Sequence, residues 1–529
     1  MNNRLKWEDE AEVVVVGYGG AGIAAAIAAH DAGARVLIME KQVSDTATTT
    51  NHTPSTRMSG GGWLCPDDPE KARQYLRGLA RIANETCDAE REELIKVLSE
   101  RMVDNTNWMR HIGAEIGGQE SFSPTLGVIA APQNQVRDTV FGENKLSFSD
   151  FSDLPGAECC HFYWVKSSGE YRHGASFFKA LSDAVQKRHI PVLWGMPGEH
   201  LLVEGGAVRG VTGQRGGKTV AIKATRGVIL ACGGFEFNDY MKENYLRPIP
   251  IHFYGNPGNT GEGISMAQEV GADLWHMNCV SFRVTIKVPE YPVAFGTQHH
   301  EEKSIFVDKR GNRFTNERVK MHAFGYELTN YDCYAMCYPR VPCYWIFDEK
   351  RRISGPVASY QGVCNPPGGI MGPIHYIWSE DNLAEIDRGW IIKARTIEEL
   401  AAKIAADPDN GELMTTSNLR TTVRRYNRFC RAGEDLDFHR PQWSLAPLED
   451  PPYYAIKLWP GGPNTQGGPR RNKNCQVVRP DRTPVPRLYA CGELGASWGM
   501  LYQGGGNLAE NIALGRLVGE NAAAQSPWR

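Results

Sequence analysis

The chain has 529 residues, more than one ordinary core needs, with 58 basic and 61 acidic side chains and a formal charge of −3. That balance gives no electrostatic case for nucleic acid or an anionic membrane surface. A hydrophobic content of 41% with 22% charged residues suits a soluble globular enzyme, and a prior of about 150 residues per domain gives roughly two to four domains.

The N-terminal stretch MNNRLKWEDEAE has neither an apolar signal core nor a twin arginine, and the apolar runs beyond it are broken by glycine. The expectation is a cytoplasmic chain without a membrane span. Val13 to Val16 then form a short all-apolar strand of the kind a buried parallel sheet uses. Gly17-Tyr-Gly19-Gly20-Ala21-Gly22 and an alanine-rich helix follow, and Arg35 to Met39 is a second strand ending at Glu40. This is a βαβ dinucleotide fingerprint in its full context. Gly17 permits the tight turn, Gly19 lets the backbone approach a pyrophosphate, Gly22 lets helix and strand pack closely, and Glu40 is placed to accept from a ribose hydroxyl.

Ser44 to Trp63 is a polar loop closing on Gly60, Gly61 and Gly62, where bare backbone suits the face of a flat ligand. Residues 67 to 116 read as helical, and 117 to 165 as a loop-rich insertion. Ala175 to Arg188 is a helix and Ile190 to Trp194 a strand, followed by a turn at Met196-Pro197-Gly198 and a hairpin of Leu201 to Glu204 with Val208 to Arg215. Ala224 to Asn238 is an apolar strand running into Gly233 and Gly234. Gly258 to Leu274 is a glycine turn capped by Thr260, then a helix. From about residue 282 to 447 aromatics, Cys, Pro and charge increase. A small hairpin, KSIFVDKRGNRFTNE, is followed by helices at Ile397 to Ala406 and Thr421 to Cys430. Glycine-rich sheet sequence returns at Leu458. The 13 cysteines lack paired CxxC spacing, the closest group being Cys333, Cys337 and Cys343, so free thiols and no metal site are expected.

Taken in order, GYGGAG, Glu40, RMSGGG, GVILACGGFEFN, NTGEG, RGNRFTNE, NTQGGP, LYACGE and GGGNLAEN resemble the flavoproteins of the fumarate reductase and 3-ketosteroid dehydrogenase superfamily over nearly the whole chain. The resemblance implies an α/β fold: a Rossmann-like FAD-binding domain, with a mixed or parallel sheet and helices, interrupted by an inserted α+β capping domain. The expected boundaries are 1–281 and 448–529 for the FAD-binding domain and 282–447 for the cap. It implies FAD, expected to be non-covalent, held by Gly17, Gly19, Gly20, Ala21, Gly22, Glu40, Lys41, the Met58-Ser59-Gly60-Gly61-Gly62 loop, Gly198 at the adenine, Ala231, Gly233, Gly234, Gly492, Glu493, Gly506, Asn507 and Leu508. The helix from Asn507 would aim its positive end at the ring, where reduced flavin is negative. His52, in NHTPST, is the candidate for covalent attachment, although its spacing to Gly60 is two residues too long.

The branches differ between flavin and cap. Fumarate reductases resemble NRLGGN at the last loop, where this chain has YQGGGN with Gln503 in the arginine's place. Their HTMGG-like histidine is matched by Asn464, their FHPT by Phe282-Arg283-Val284-Thr285, and their proton-donating arginine by Met321. Ketosteroid dehydrogenases resemble YPGPG, with Tyr502 and Gly506 in register. In that branch the tyrosine hydroxyl and the glycine N–H hold a ketone oxygen as the α-carbon proton leaves, which makes an oxyanion hole. The tyrosine base of that branch also falls at Met321, which cannot move a proton. His322, Lys320, Arg318, Tyr326, Tyr331 and Tyr334 stand as candidates for it, and His322 has the pKa best suited. Arg283 would anchor a carboxylate or polarise a carbonyl, or serve a structural salt bridge.

The leading expectation is therefore an FAD-dependent dehydrogenase or ene-reductase acting on a CH–CH or C=C bond next to a carbonyl. An aromatic-rich cap (Tyr291, Phe295, Phe324, Tyr326, Tyr331, Tyr344, Trp345) suits a bulky cyclic ketone. The alternative is an ene-reductase or dehydrogenase of an unsaturated carboxylate anchored by Arg283. With no CxxCH haem motif and no iron–sulfur cysteine run, the partners expected are a small-molecule substrate and an external electron carrier.

Overall fold

The computed structural model describes residues 6–43, 54–117, 150–151, 153–167, 171, 173–297, 303–317, 321–358 and 376–528. Strand β1 (Trp7–Val16), helix α1 (Gly20–Asp31) and strand β2 (Val36–Glu40) open the chain. β1 lies parallel to β2, with Val13 opposite Val36 and Val16 opposite Met39. The sheet runs in the order Gln476–Val478, Pro484–Ala490, Lys218–Leu230, β1, β2, Val192–Trp194. Strand Lys218–Leu230 extends beyond β1 and turns back through Ala207–Arg215 and Gly198–Glu204 as an antiparallel ribbon.

The run of four valines is explained by this position. Val13 and Val15 pack with α1 and the C-terminal helix on one face, while Val14 and Val16 pack with Val208, Val211 and Ile264 on the other. All four are buried, which is the environment of a parallel strand covered on both sides.

The C-terminal helix, Gly506–Ala523, lies along α1. A Cβ on Gly515 would stand 3.0 Å from the Ala21 carbonyl oxygen, and one on Gly519 would stand 2.2 Å from that of Ala25. The two contacts advance together by four residues on each helix, so the helices run parallel and their N-termini point the same way. Interiors packed to crystal density leave no space for a side chain there.

A second sheet is built around the ten-residue strand Tyr453–Gly462. In it Phe295–Gly296, Arg283–Ile286, Tyr453–Gly462, Cys343–Asp348 and Ser304–Val307 follow in order, and His252–Phe253 and Ile392–Ala394 also pair with the central strand. This central strand lies beyond the 447 boundary expected for the cap. A three-stranded sheet joins Gly62–Pro66, Cys160–Val165 and Ile116–Gly117.

The helical reading of 67–116 resolves into Pro69–Ile82, Ala89–Met102 and Asn105–His111, the first two capped by Asp68 and Asp88. Four expectations need correction. Strand Lys218–Leu230 ends well before Asn238, because the chain turns at Gly233, whose φ is +75°. The hairpin expected in KSIFVDKRGNRFTNE has only one full arm, Ser304–Val307. The chain does turn back, with Val307 bridged antiparallel to Arg313 and the Asp308 N–H bonded to the Asn312 carbonyl at 2.9 Å, but beyond that the Glu317 carboxylate accepts the Phe306 N–H at 3.2 Å and the return arm goes no further. Thr260 is not the cap of helix Glu262–Glu269; Gly261 is, at φ +84°, and the Thr260 hydroxyl donates instead to Glu262 at 2.5 Å. The stretch read as loop-rich contains strand Cys160–Val165; residues 118–149 lie outside the described residues. Every cysteine among the described residues is a free thiol, and no described helix is long and apolar enough to cross a membrane.

Substituting Gly519 by Val forces α1 and the C-terminal helix apart. The expected loss is about 1–3 kcal/mol, as for overpacked cores, read as a lowered thermal midpoint. An unchanged midpoint would show that this close approach does not constrain the fold.

Candidate active site

Two cavities of about 790 and 1110 Å³ adjoin along the first sheet and share Ser55, Thr56, Glu493 and Asn511 in their walls. They form one elongated space.

The first lobe is walled by the Gly17–Ala21 turn, Glu40, Lys41, Gly198, Ala231 and Gly233. The N-terminus of α1 opens on it with no acidic residue in its first turn and with the Gly20 N–H donating to the Thr56 hydroxyl at 3.0 Å; a helix start without acidic residues receives a phosphate. Gly17 has φ +112°, and a Cβ there would meet the Ala231 carbonyl at 2.4 Å. The Glu40 oxygens accept the N–H groups of Tyr18 (2.7 Å) and Gln42 (2.8 Å). A carboxylate offers about four acceptor sites, so this clamp is compatible with a ribose contact. Lys41 lies on the wall with its ammonium bonded to Glu262 at 2.7 Å and Thr260 at 3.1 Å.

The second lobe is walled by Met58 to Gly62, Asp150, Phe162, Tyr254, Arg283, His322, Asn464, Tyr502 to Gly505, Asn507 and Leu508. Here the positive end of the C-terminal helix arrives, with no acidic residue in its first turn. Among the described residues Asn507 Oδ1 and Asn511 Oδ1 are buried on this wall with no protein donor. Orphaned acceptors beside the positive ends of two helices, in a space of this length, fit a dinucleotide carrying a hydroxylated chain and a ring N–H.

Several expected residues sit behind the wall. Gly22 packs on the Gly17 carbonyl, and Gly234 on Thr465 and Glu493. Gly492 packs between Ala21 and Asn511, and Gly506 on the Trp498 ring. These four glycines bring protein segments together and do not line either lobe. Gly61 and Gly62 do line the lobe, but a Cβ on them would strike His173 and Phe162.

The expected oxyanion hole is corrected in the same way. The Gly506 N–H donates to the Gln503 carbonyl at 2.9 Å, because Gly505, at φ +76°, tightens the loop into a turn. Gly506 therefore does not face the lobe. Tyr502 does: its hydroxyl oxygen accepts the Asn507 N–H at 3.2 Å, and burial pushes its pKa up despite that bond. It is a neutral hydroxyl, polarised from behind. Arg283 is buried on the wall and donates to the Tyr254 hydroxyl at 3.1 Å and the Thr297 carbonyl at 3.4 Å.

Among the candidates for the base, His322 alone reaches the lobe within the described residues. Its ring meets Tyr502 edge-on at 5.1 Å. Tyr326 donates to the Met500 carbonyl, and Tyr331 and Tyr334 are 42% and 100% exposed. Arg318, Lys320 and His52 lie outside the described residues, as does the Met321 side chain. Of the aromatics expected in the cap, Phe295, Phe324, Tyr344 and Trp345 are buried in the cores around the second sheet, and none of the seven lines the lobe.

Sequence reading missed Asp150, Gln503's structural role and Glu236. Gln503 Oε1 accepts from the Tyr75 hydroxyl and from the Asp150 N–H at 2.9 Å, so the residue in the arginine's place braces the loop. Glu236, fully buried, faces Glu493, and the Asn259 amide bridges them at 3.3 and 3.2 Å. Burial first, then the Glu236 charge, pushes Glu493 well above the usual carboxylate range; burial raises Glu236 as well. Burial and the like charge of the neighbour both disfavour ionising the two carboxylates together. The GGFE and GE motifs show each acid but not their meeting.

Both acids are raised in the folded state, so the stability they support is present at low pH and is lost as pH rises from the ordinary carboxylate range through their folded values. Glu236→Gln removes one titration. Its thermal midpoint should fall less than wild type's between pH 5 and 9, measured on the holoprotein; equal slopes would mean the pair ionises normally.

Comparison with known proteins places this geometry. The chain is 28% identical to a 3-oxosteroid 1-dehydrogenase of Mycobacterium tuberculosis (strain ATCC 25618 / H37Rv), covering 98% of this chain and 99% of that protein. It is 26% identical to a fumarate reductase (cytochrome) of Shewanella frigidimarina, covering 98% of this chain and 78% of that protein. The crystal structure of a 3-ketosteroid Δ1-dehydrogenase from Sterolibacterium denitrificans in complex with 1,4-androstadiene-3,17-dione superposes with a TM-score of 0.75 at 22% identity, covering 98% of this chain and all of that one, which shows the fold. The FAD binding domain family matches residues 12–508. The protein belongs to that family, binds FAD and is an FAD-dependent oxidoreductase.

Proposed function

We propose that the enzyme desaturates a cyclic ketone next to its carbonyl or reduces the corresponding enone, with residues 282–462 acting as the capping domain. FAD, when bound, supplies the hydride acceptor or donor. One observation carries the reading: a buried, neutral tyrosine hydroxyl on the wall of the second lobe, with a backbone N–H bonded to its oxygen. Accepting from Asn507 strengthens Tyr502 as a donor. A ketone oxygen at this hydroxyl becomes more negative as the α-proton leaves, so the hydrogen bond tightens toward the transition state. His322 is the proton-handling group. The positive end of helix Gly506–Ala523 favours negative charge on the ring system beside it. The second lobe must hold the flavin end of the cofactor, so neither its volume nor the aromatics of residues 282–462, which pack in a core, bear on the size of the substrate. Electrons leave to, or come from, an external carrier in the cytoplasm.

A second reading rests on Arg283. A buried guanidinium on the same wall suits an unsaturated carboxylate. It is the weaker reading, because that guanidinium already donates to Tyr254 and Thr297.

Tyr502→Phe should keep its FAD spectrum and lose about 10²- to 10³-fold in kcat with a saturated cyclic ketone and an artificial electron acceptor, the usual effect of removing one oxyanion donor. Full activity in this variant would sink the ketone reading. Turnover of unsaturated carboxylates, insensitive to Tyr502→Phe and abolished in Arg283→Ala, would establish the second reading in its place.

A further inference from the structure

Asp150 connects three parts of the site that are far apart in sequence. Its Oδ2 accepts from His322 Nδ1 at 2.9 Å and from the Gly504 N–H at 2.7 Å. Its own N–H donates to Gln503 Oε1 at 2.9 Å, and that oxygen also receives the Tyr75 hydroxyl. Asp150 and the Gln503-Gly504 loop are thus bonded reciprocally, which fixes the carboxylate relative to the loop carrying Tyr502. Asp150 is 6% exposed, and both it and His322 face the second lobe. His322 is held from the other side, where its carbonyl accepts the Phe282 N–H at 3.0 Å.

The chemistry of the contact sets the tautomer. An ionised carboxylate only accepts, so the imidazole nitrogen facing it carries the hydrogen. Nε2 is then the unprotonated nitrogen of the neutral ring, and the carboxylate stabilises the imidazolium that forms when Nε2 takes a proton. A carboxylate that orients a histidine in this way contributes to base catalysis without touching the substrate.

We propose that Asp150 is a positioning residue that presents His322 Nε2 as the base for the substrate's α-carbon proton; this rests on the ketone reading above. In that step the α C–H bond breaks and its electron pair passes into the carbonyl as an enolate held by the Tyr502 hydroxyl. The proton goes to Nε2 and is returned to water. No electron acceptor is consumed, so the step is visible without turnover.

The test uses the holoenzyme with oxidised FAD and a saturated cyclic 3-ketone in D2O, with deuterium uptake at the α carbon followed by mass spectrometry. His322→Gln should slow uptake about 10²-fold, within the usual range for a general base, and Asp150→Asn at least about tenfold. Asp150→Glu should restore part of the rate, and the flavin absorbance spectrum of each variant reports folding. In parallel, ¹⁵N spectra of histidine-labelled protein should show His322 as the Nδ1–H tautomer in wild type and a tautomer mixture in Asp150→Asn. Wild-type uptake rates in both Asp150→Asn and His322→Gln overturn the proposal alone. A wild type that neither exchanges nor turns over any ketone overturns the ketone reading and this proposal with it.

Discussion

The site depends on how closely two helix backbones approach. α1 begins the chain's first βαβ unit and Gly506–Ala523 is its last helix, yet glycines at 515 and 519 let the second lie directly on the alanine face of the first. The helices run parallel, so two positive termini open on one elongated cavity. One serves the lobe built by the Gly17 turn, the other the lobe built by the Tyr502 loop. A dinucleotide with a negative centre and a ring that becomes negative on reduction is matched at both places by the same device.

Around that frame the polar groups are arranged to keep net charge low. Glu40 clamps the turn through two backbone N–H groups, Lys41 is paired with Glu262, and burial holds Glu493 and Glu236 above the usual carboxylate range. The charges that face the second lobe, Asp150 and Arg283, are each tied to named partners. Both charges are held in place, which is the form of preorganisation that lets a site stabilise a developing charge without rearranging.

The glycine-rich terminal loop illustrates how far residue type can be read. Tyr502, expected from the resemblance, lines the second lobe with its hydroxyl oxygen accepting the Asn507 N–H. Gly506 carries the same motif-level support but its N–H points into its own turn. Which way an N–H points depends on the backbone angles of the preceding Gly505, and no letter of the sequence records them. The cap aromatics are a similar case: composition counts them, while only packing separates a core from a wall.

The sequence alone determined the nucleotide-binding unit, the cofactor and the order of the main elements. Those signals are local: Val13 to Glu40 carries strand, turn, helix and acid within a single contiguous unit, and hydrophobic periodicity is set by neighbours. Tertiary structure alone decided the contacts that join Asp150 to His322, Tyr75 to Gln503 and Glu236 to Glu493. These partners are separated by hundreds of residues, and their meeting follows from how the two sheets and the terminal helix pack. No spacing rule encodes such a meeting, because the free energy that brings the partners together comes from the whole core and not from either residue.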